Sequence, residues 1–311
     1  MSEQSIAFVF PGQGSQTVGM LESLYQAFPS VKQTFEQASD ALGYDMAETI
    51  LKDPAEKLNQ TQVTQPALLT ASTAIYRLLL EQGAKQAKFM AGHSLGEYSA
   101  LTAAGVLQFE DALKLVELRG LAMQEAVPTG VGAMAAIIGL ADDAVIEACA
   151  KASGDELVAA VNFNSPGQVV IAGHKNAVAK ASELCKEAGA KRALPLPVSV
   201  PSHCALMQPA AEKLNAALQN IQLAEPQIAV VNNVDVKAEF TSEAIANALV
   251  RQLYCPVRWT ETVQHLAANG ITQLVEVGPG KVLNGLTKRI EKSLTAVSVN
   301  DTASLESFIN G

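Results

Sequence analysis

The 311-residue chain is predicted to be an α/β protein, with a large domain on a mostly parallel sheet interrupted by a small ferredoxin-like unit. Three observations predict this. Short apolar, β-rich stretches alternate with helical ones, as in a parallel sheet covered on both faces. Between residues 128 and 199 the order becomes β-α-β-β-α-β, the ferredoxin-like arrangement. Residues 90–100, MAGHSLGEYSA, set a serine between two glycines where a strand runs into a helix.

The first strand is SIAFVF (5–10), ended by the Pro and two Gly of PGQGSQ (11–16). Residues 18–82 read mostly helical, and the best helix is 65–83, with Pro66 in its first turn and Gly83 at its end. AKFMAGHS is a short strand leading into Ser94, and LGEYSALTAAGVL continues as helix. A second helix covers 109–127. After Pro128 come a strand (132–140), a helix (142–153), strands (156–164 and 168–174) about an SPG turn, a helix (175–189) and a strand (190–198). The expected division is therefore residues 1–127 and 200–311 as the large domain and 128–199 as the insert. The large domain resumes with a strand at 227–234, helices near 242–252 and 259–269, a strand at 271–278, a helix at 280–290 and a last strand at 294–300.

Composition excludes several classes. Hydrophobic residues make 49% and charged residues 17%, ordinary for a globular protein with a sizeable core. A net charge of −9 argues against nucleic acid or an anionic membrane as the main partner. The N-terminus carries Glu3 where a secretory leader would be positive, and the longest apolar run, 131–141, is too short to span a bilayer. Cys149, Cys185, Cys204 and Cys255 form no CxxC pair, so they read as free thiols in a reducing cytosol. His93, His174, His203 and His265 are scattered, with no HExxH, so no metal is expected.

A lone G-x-S-x-G is a weak signal, but at a strand-to-helix junction it is the context of a nucleophile elbow. Gly92 and Gly96 would let the backbone turn sharply around Ser94. A serine needs a base, and histidine is the usual one. His93 adjoins the serine, His265 sits mid-helix and His174 follows a strand of the insert. His203, in PVSVPSH, stands where the insert ends and the large domain resumes, a place where clefts form. The alternative for His203 is a hydrogen bond at the hinge. The oxyanion would need two N–H donors, and Leu95 with Gln13 of PGQG fit that need. A phosphate loop fits PGQG less well, because the third glycine of GxGxxG and a GK[ST] are both missing. Arg119 is either a solvated helix residue or a two-pronged grip on a substrate carboxylate.

These pieces occur together in one family. FVFPGQGSQ, TQPAL, AGHSLGEYSAL, RGLAMQEA, FNSPGQVVIAG, PVSVPSH and EVGPGKVL stand in its order and roughly its spacing. The chain closely resembles the malonyl-CoA:acyl carrier protein transacylases of bacterial type II fatty-acid synthesis, from about residue 6 to about 290. The resemblance implies an α/β-hydrolase-like large domain with a ferredoxin-like insert. It implies Ser94 as the acylated nucleophile, His203 as its base, Gln13 and Leu95 as oxyanion donors and Arg119 as the malonyl clamp. Gln252 matches a glutamine whose carbonyl would hold the histidine tautomer, and Asn162 a residue near the site. No acidic residue matches a triad Asp, and Glu97 reads as structural.

The implied chemistry is a ping-pong exchange between coenzyme A thioesters and the phosphopantetheine of acyl carrier protein, with no cofactor, in the cytoplasm, by a monomer. Lys191–Arg192 and Lys288–Arg289 are the paired charges available to an acidic carrier. VPSH (200–203) leaves methylmalonyl use open. An acyltransferase of polyketide or polyunsaturated-lipid synthesis, a serine hydrolase and a non-catalytic carrier-binding module are the rival readings.

Overall fold

The computed structural model describes residues 5–198 and 200–310. Glu3 of the leader reading, Ser199 at the expected end of the insert and Gly311 lie outside them.

Strand β1 (Ile6–Phe10) is buried throughout. Its two faces serve two cores. Ile6, Phe8 and Phe10 join the larger core, while Ala7 and Val9 pack with Trp259 and Leu274. That two-sided burial is why the strand shows no polar alternation. Helices α1 (Glu22–Ala27), α2 (Pro29–Leu42), α3 (Met46–Leu51) and α4 (Thr61–Glu81) follow. Helix α4 starts four residues before the position the sequence suggests, so Pro66 lies inside it and not in its first turn. The Gln60 carbonyl accepts from the N–H groups of Val63 and Thr64, and the Thr64 hydroxyl donates to Leu58 O at 2.6 Å. These bonds anchor an earlier first turn.

Next come β2 (Phe89–Gly92), α5 (Leu95–Ala103) and α6 (Phe109–Ala126). The small sheet then forms from β3 (Gly132–Ile138), β4 (Val158–Ser165), β5 (Gln168–His174) and β6 (Arg192–Pro195), with α7 (Asp142–Ala152) and α8 (Lys175–Glu187) between them. Its order is β4-β5-β3-β6 and every pairing is antiparallel. One face packs on α7 and α8; the other holds Met134, Val161, Val170 and Ala172 against Cys204, next to His203.

The chain returns through α9 (Gln208–Leu218), β7 (Ala229–Val231), α10 (Ser242–Gln252), α11 (Trp259–Ala268), β8 (Gln273–Val277), α12 (Val282–Ile290), β9 (Thr295–Val299) and α13 (Thr302–Asn310). The large sheet is wholly parallel, in the order β7-β2-β1-β8-β9. Strand β7 is shorter than 227–234 because Asn233 turns its amide groups to α5 and the loop before it, leaving the ladder. The small sheet is tied to the large domain where Val257, in the loop after α10, donates to Val161 O at 2.8 Å and accepts from Phe163 N at 3.0 Å. No helix of the described residues is long and apolar enough to cross a membrane.

Candidate active site

The turn from β2 into α5 is tight because its glycines touch backbone. A Cβ on Gly92 would lie 1.9 Å from the Gly96 carbonyl, and one on Gly96 would lie 2.0 Å from Phe10 O. The left-handed residue of the turn is Ser94 itself, at φ 51° and ψ −109°, a costly conformation for a residue with a Cβ. Asn233 holds it there: its Oδ1 accepts from Ser94 N at 2.7 Å and its Nδ2 donates to Gly92 O at 2.7 Å. The Gln252 amide donates to Ser94 O at 3.1 Å.

Ser94 Oγ lies 2.7 Å from His203 Nε2. His203 Nδ1 lies 2.7 Å from the Gln252 carbonyl oxygen. A carbonyl only accepts, so Nδ1 carries the proton and Nε2 presents its lone pair to the serine hydroxyl. Burial, and next the Arg119 charge, push the imidazole pKa down to about 3, which keeps the ring neutral at ordinary pH. Here a backbone carbonyl holds the tautomer, the task a carboxylate performs in a triad.

Arg119 is fully buried on α6, not solvated. Its Nη1 donates to Gln65 Oε1 at 2.8 Å, and its Nη2 to Gln252 Oε1 at 2.9 Å and Ser94 Oγ at 3.3 Å. Its guanidinium carbon sits 5.2 Å from the Tyr98 ring centroid. Burial pushes the Arg119 pKa down, but a guanidinium keeps its charge. Every one of these partners is neutral, so the group can still take a carboxylate ligand beside Ser94.

Leu95 opens α5, so its N–H has no acceptor one turn back. The loop carrying Gln13 lies against the elbow: His93 N donates to Phe10 O at 3.0 Å, and a Cβ on Gly12 would meet His93 O at 2.5 Å. Among the described residues no acceptor meets the Gln13 or Leu95 N–H. Asn162 sits on β4, bridged to Val257, with Oδ1 buried and without a hydrogen-bond partner; no bond joins it to Ser94, His203 or Arg119. His174 accepts from Leu157 N, His265 stacks edge-on against Phe89, and His93 pairs with Asn164 at 2.8 Å. None of the three bonds to the serine hydroxyl.

Sequence reasoning missed Gln65 and Asn233 and left Glu97 without a partner. Gln65 stands in the TQPAL stretch, Glu97 three residues after Ser94, and Asn233 at the end of an apolar strand run. Glu97 is buried on α5, and its Oε2 accepts from Asn233 N at 2.9 Å and Gln252 Nε2 at 2.8 Å. Burial raises its pKa to about 7 against the pull of those donors. Among the described residues no group of three or more His, Cys, Asp or Glu is placed to hold a metal.

A family model described as the acyl transferase domain matches residues 7–307. A Haemophilus influenzae protein named malonyl CoA-acyl carrier protein transacylase is 65% identical over 97% of each chain. An Escherichia coli protein of the same name is 62% identical over 96% of this chain and 97% of its own. Among solved structures, a malonyl-transacylase in complex with its type II PKS acyl-carrier protein superposes with a TM-score of 0.98, at 60% identity and 99% coverage of both chains. An acyl carrier protein S-malonyltransferase from Vibrio cholerae gives 0.96 at 61% identity, covering 98% of this chain and 99% of that one.

Proposed function

Since this chain belongs to the acyl transferase family, among relatives named malonyl CoA-acyl carrier protein transacylases, we propose that it moves a malonyl group from coenzyme A to acyl carrier protein through Ser94. The observation that carries the reading is a neutral Ser94–His203 pair at 2.7 Å beside a buried guanidinium with only neutral hydrogen-bond partners.

His203 Nε2 takes the serine proton as Oγ bonds to the thioester carbon. The developing oxyanion falls to the N–H groups of Gln13 and Leu95. The carbon–sulfur bond breaks, the imidazolium returns its proton to the coenzyme sulfur, and a malonyl-serine ester remains. The carrier's phosphopantetheine thiol then loses its proton to His203 and attacks that ester, reversing the sequence. Arg119 pairs with the malonyl carboxylate throughout, and Gln252 O holds the histidine tautomer. Asn162, on the strand sewn to the loop after α10, lines the substrate side of the site. No cofactor enters any step.

Two separate sheets support residues 128–199 as an inserted domain between 1–127 and 200–311. Four free cysteines support a reducing, cytoplasmic setting. The protein acts as a monomer that meets its carrier transiently.

Intact-protein mass after brief mixing with malonyl-CoA tests the reading. The expected result is a malonyl adduct in wild type, none in Ser94→Ala, and loss of the adduct when carrier protein is added. No adduct in wild type, or one that survives Ser94→Ala, overturns it.

A further inference from the structure

Arg119 and Glu97 are respectively 1% and 2% exposed, and both lie against the wholly buried Gln252. Gln252 joins them through one amide. Its Oε1 accepts from Arg119 Nη2 at 2.9 Å, and its Nε2 donates to Glu97 Oε2 at 2.8 Å. No other carboxylate touches this cluster among the described hydrogen bonds. The remaining charged groups that face Glu97 stand on the segment after β7. Asp235 is held by Arg251 at 3.0 Å, and Glu239 is paired with Lys237 at 2.8 Å. Tyr98 and Arg119 complete the set from α5 and α6.

This arrangement suits one buried anion better than two. Before substrate binds, Glu97 balances Arg119 across the Gln252 bridge. A substrate carboxylate on Arg119 would bring a second negative charge into the same dry cluster. Like charges so confined cannot both stay ionised at ordinary cost, and the softer one takes a proton. We propose that Glu97 is the internal counter-ion of Arg119 and gives up that role, by taking a proton from solution, when the substrate carboxylate arrives.

Two features make Glu97 the group that yields. Burial already places its carboxyl near neutrality, at about 7. A small crevice between α5, β7 and α10 is lined by Glu97, Asn232, Glu239 and Ile245, and the Glu239 side chain on it is part-exposed. Its role is positioning: Oε2 pins the Gln252 amide in the one orientation that offers Oε1 to Arg119 and N–H to Ser94 O. The inference rests on Arg119 holding the malonyl carboxylate, and it adds a proton to that event.

Acylation itself is proton-neutral, because the serine proton leaves on the coenzyme sulfur. Any further uptake therefore reports a linked group. The test mixes the enzyme with one equivalent of malonyl-CoA or acetyl-CoA in weak buffer containing a pH indicator, with the adduct counted by mass in the same samples. The acetyl arm cancels the ionisation of the coenzyme thiol, which both substrates release. The expected excess for malonyl is close to one proton per adduct at about pH 8 and none at about pH 5, where Glu97 is already protonated. Malonyl-CoA affinity then falls with rising pH above 7, by up to about tenfold per unit, and Glu97→Gln removes both the excess and the slope. If that variant does not fold, the rise of a carboxylic-acid band in the infrared difference spectrum of wild type replaces it. A full malonyl adduct with no excess proton overturns the inference and leaves the transferase reading standing. Absence of any adduct overturns both.

Discussion

On the proposed reading, Arg119 sets the substrate charge this site accepts. Its removal strands a desolvated carboxylate beside Ser94, a loss on the order of 2–5 kcal/mol for malonyl transfer. Arg119→Ala should therefore lose malonyl transfer and keep or gain acetyl transfer in competing assays; an equal fall for both would make it structural. The same substitution acts on the base. Arg119 is the second cause of the depressed His203 pKa, so the imidazole should titrate higher in Arg119→Ala, as nitrogen-15 shifts of the ring would report. His203 also shapes acid stability. The unfolded chain protonates it near 6.5, while the folded chain resists until about 3. Stability should thus be intact above about 6.5 and decline through that window by up to ~1.4 kcal/mol per pH unit for this one group. His203→Gln should remove that component from the acid limb of Tm against pH. Ser94 was legible from its strand-to-helix setting, His203 and Arg119 each as one of two readings, and Gln252 only through the family resemblance. Asn233 and Gln65 were not, since a lone amide reads the same whether it supports a site or satisfies a core.

Among the elements, the β2–α5 turn is the most constrained. Its glycines are needed for room, not for a left-handed backbone, because the positive φ falls on Ser94. Gly96→Ala drives a methyl into Phe10 O at 2.0 Å, where backbone on both sides prevents yielding. Its expected cost is about 3 kcal/mol or more. Thermal unfolding of the variant would read this, and an unchanged Tm would show that the turn relaxes. Alternation of strand and helix placed nearly every element in the sequence. Helices α9 and α13 were not placed, and two elements differed at their ends: Pro66 suggested a start, yet hydrogen bonds to Gln60 O and Leu58 O begin α4 earlier. Strand β7 stops early because Asn233 bonds elsewhere. Both depend on partners far along the chain or on hydroxyl bonds that propensity does not carry.

At the scale of the molecule, carrier docking must overcome a net charge of −9. Lys191 and Arg192 are exposed at the start of β6, and Lys288 and Arg289 are exposed on the last turn of α12, where Arg289 reaches Gln168 of β5. Charge reversal at either pair should raise the apparent KM for carrier protein while leaving that for malonyl-CoA unchanged; no change at both would place docking elsewhere. The parallel sheet has another consequence, for the birth of the protein. Strand β1 is synthesised first, yet one of its two neighbours, β8, is Gln273–Val277. Its other neighbour, β2, ends at Gly92. At ribosomal speeds the interval between those two neighbours is roughly ten to forty seconds. For that time the nascent chain carries a fully apolar strand with one edge open, an interval in which it is exposed to pairing with its fellows on the same message.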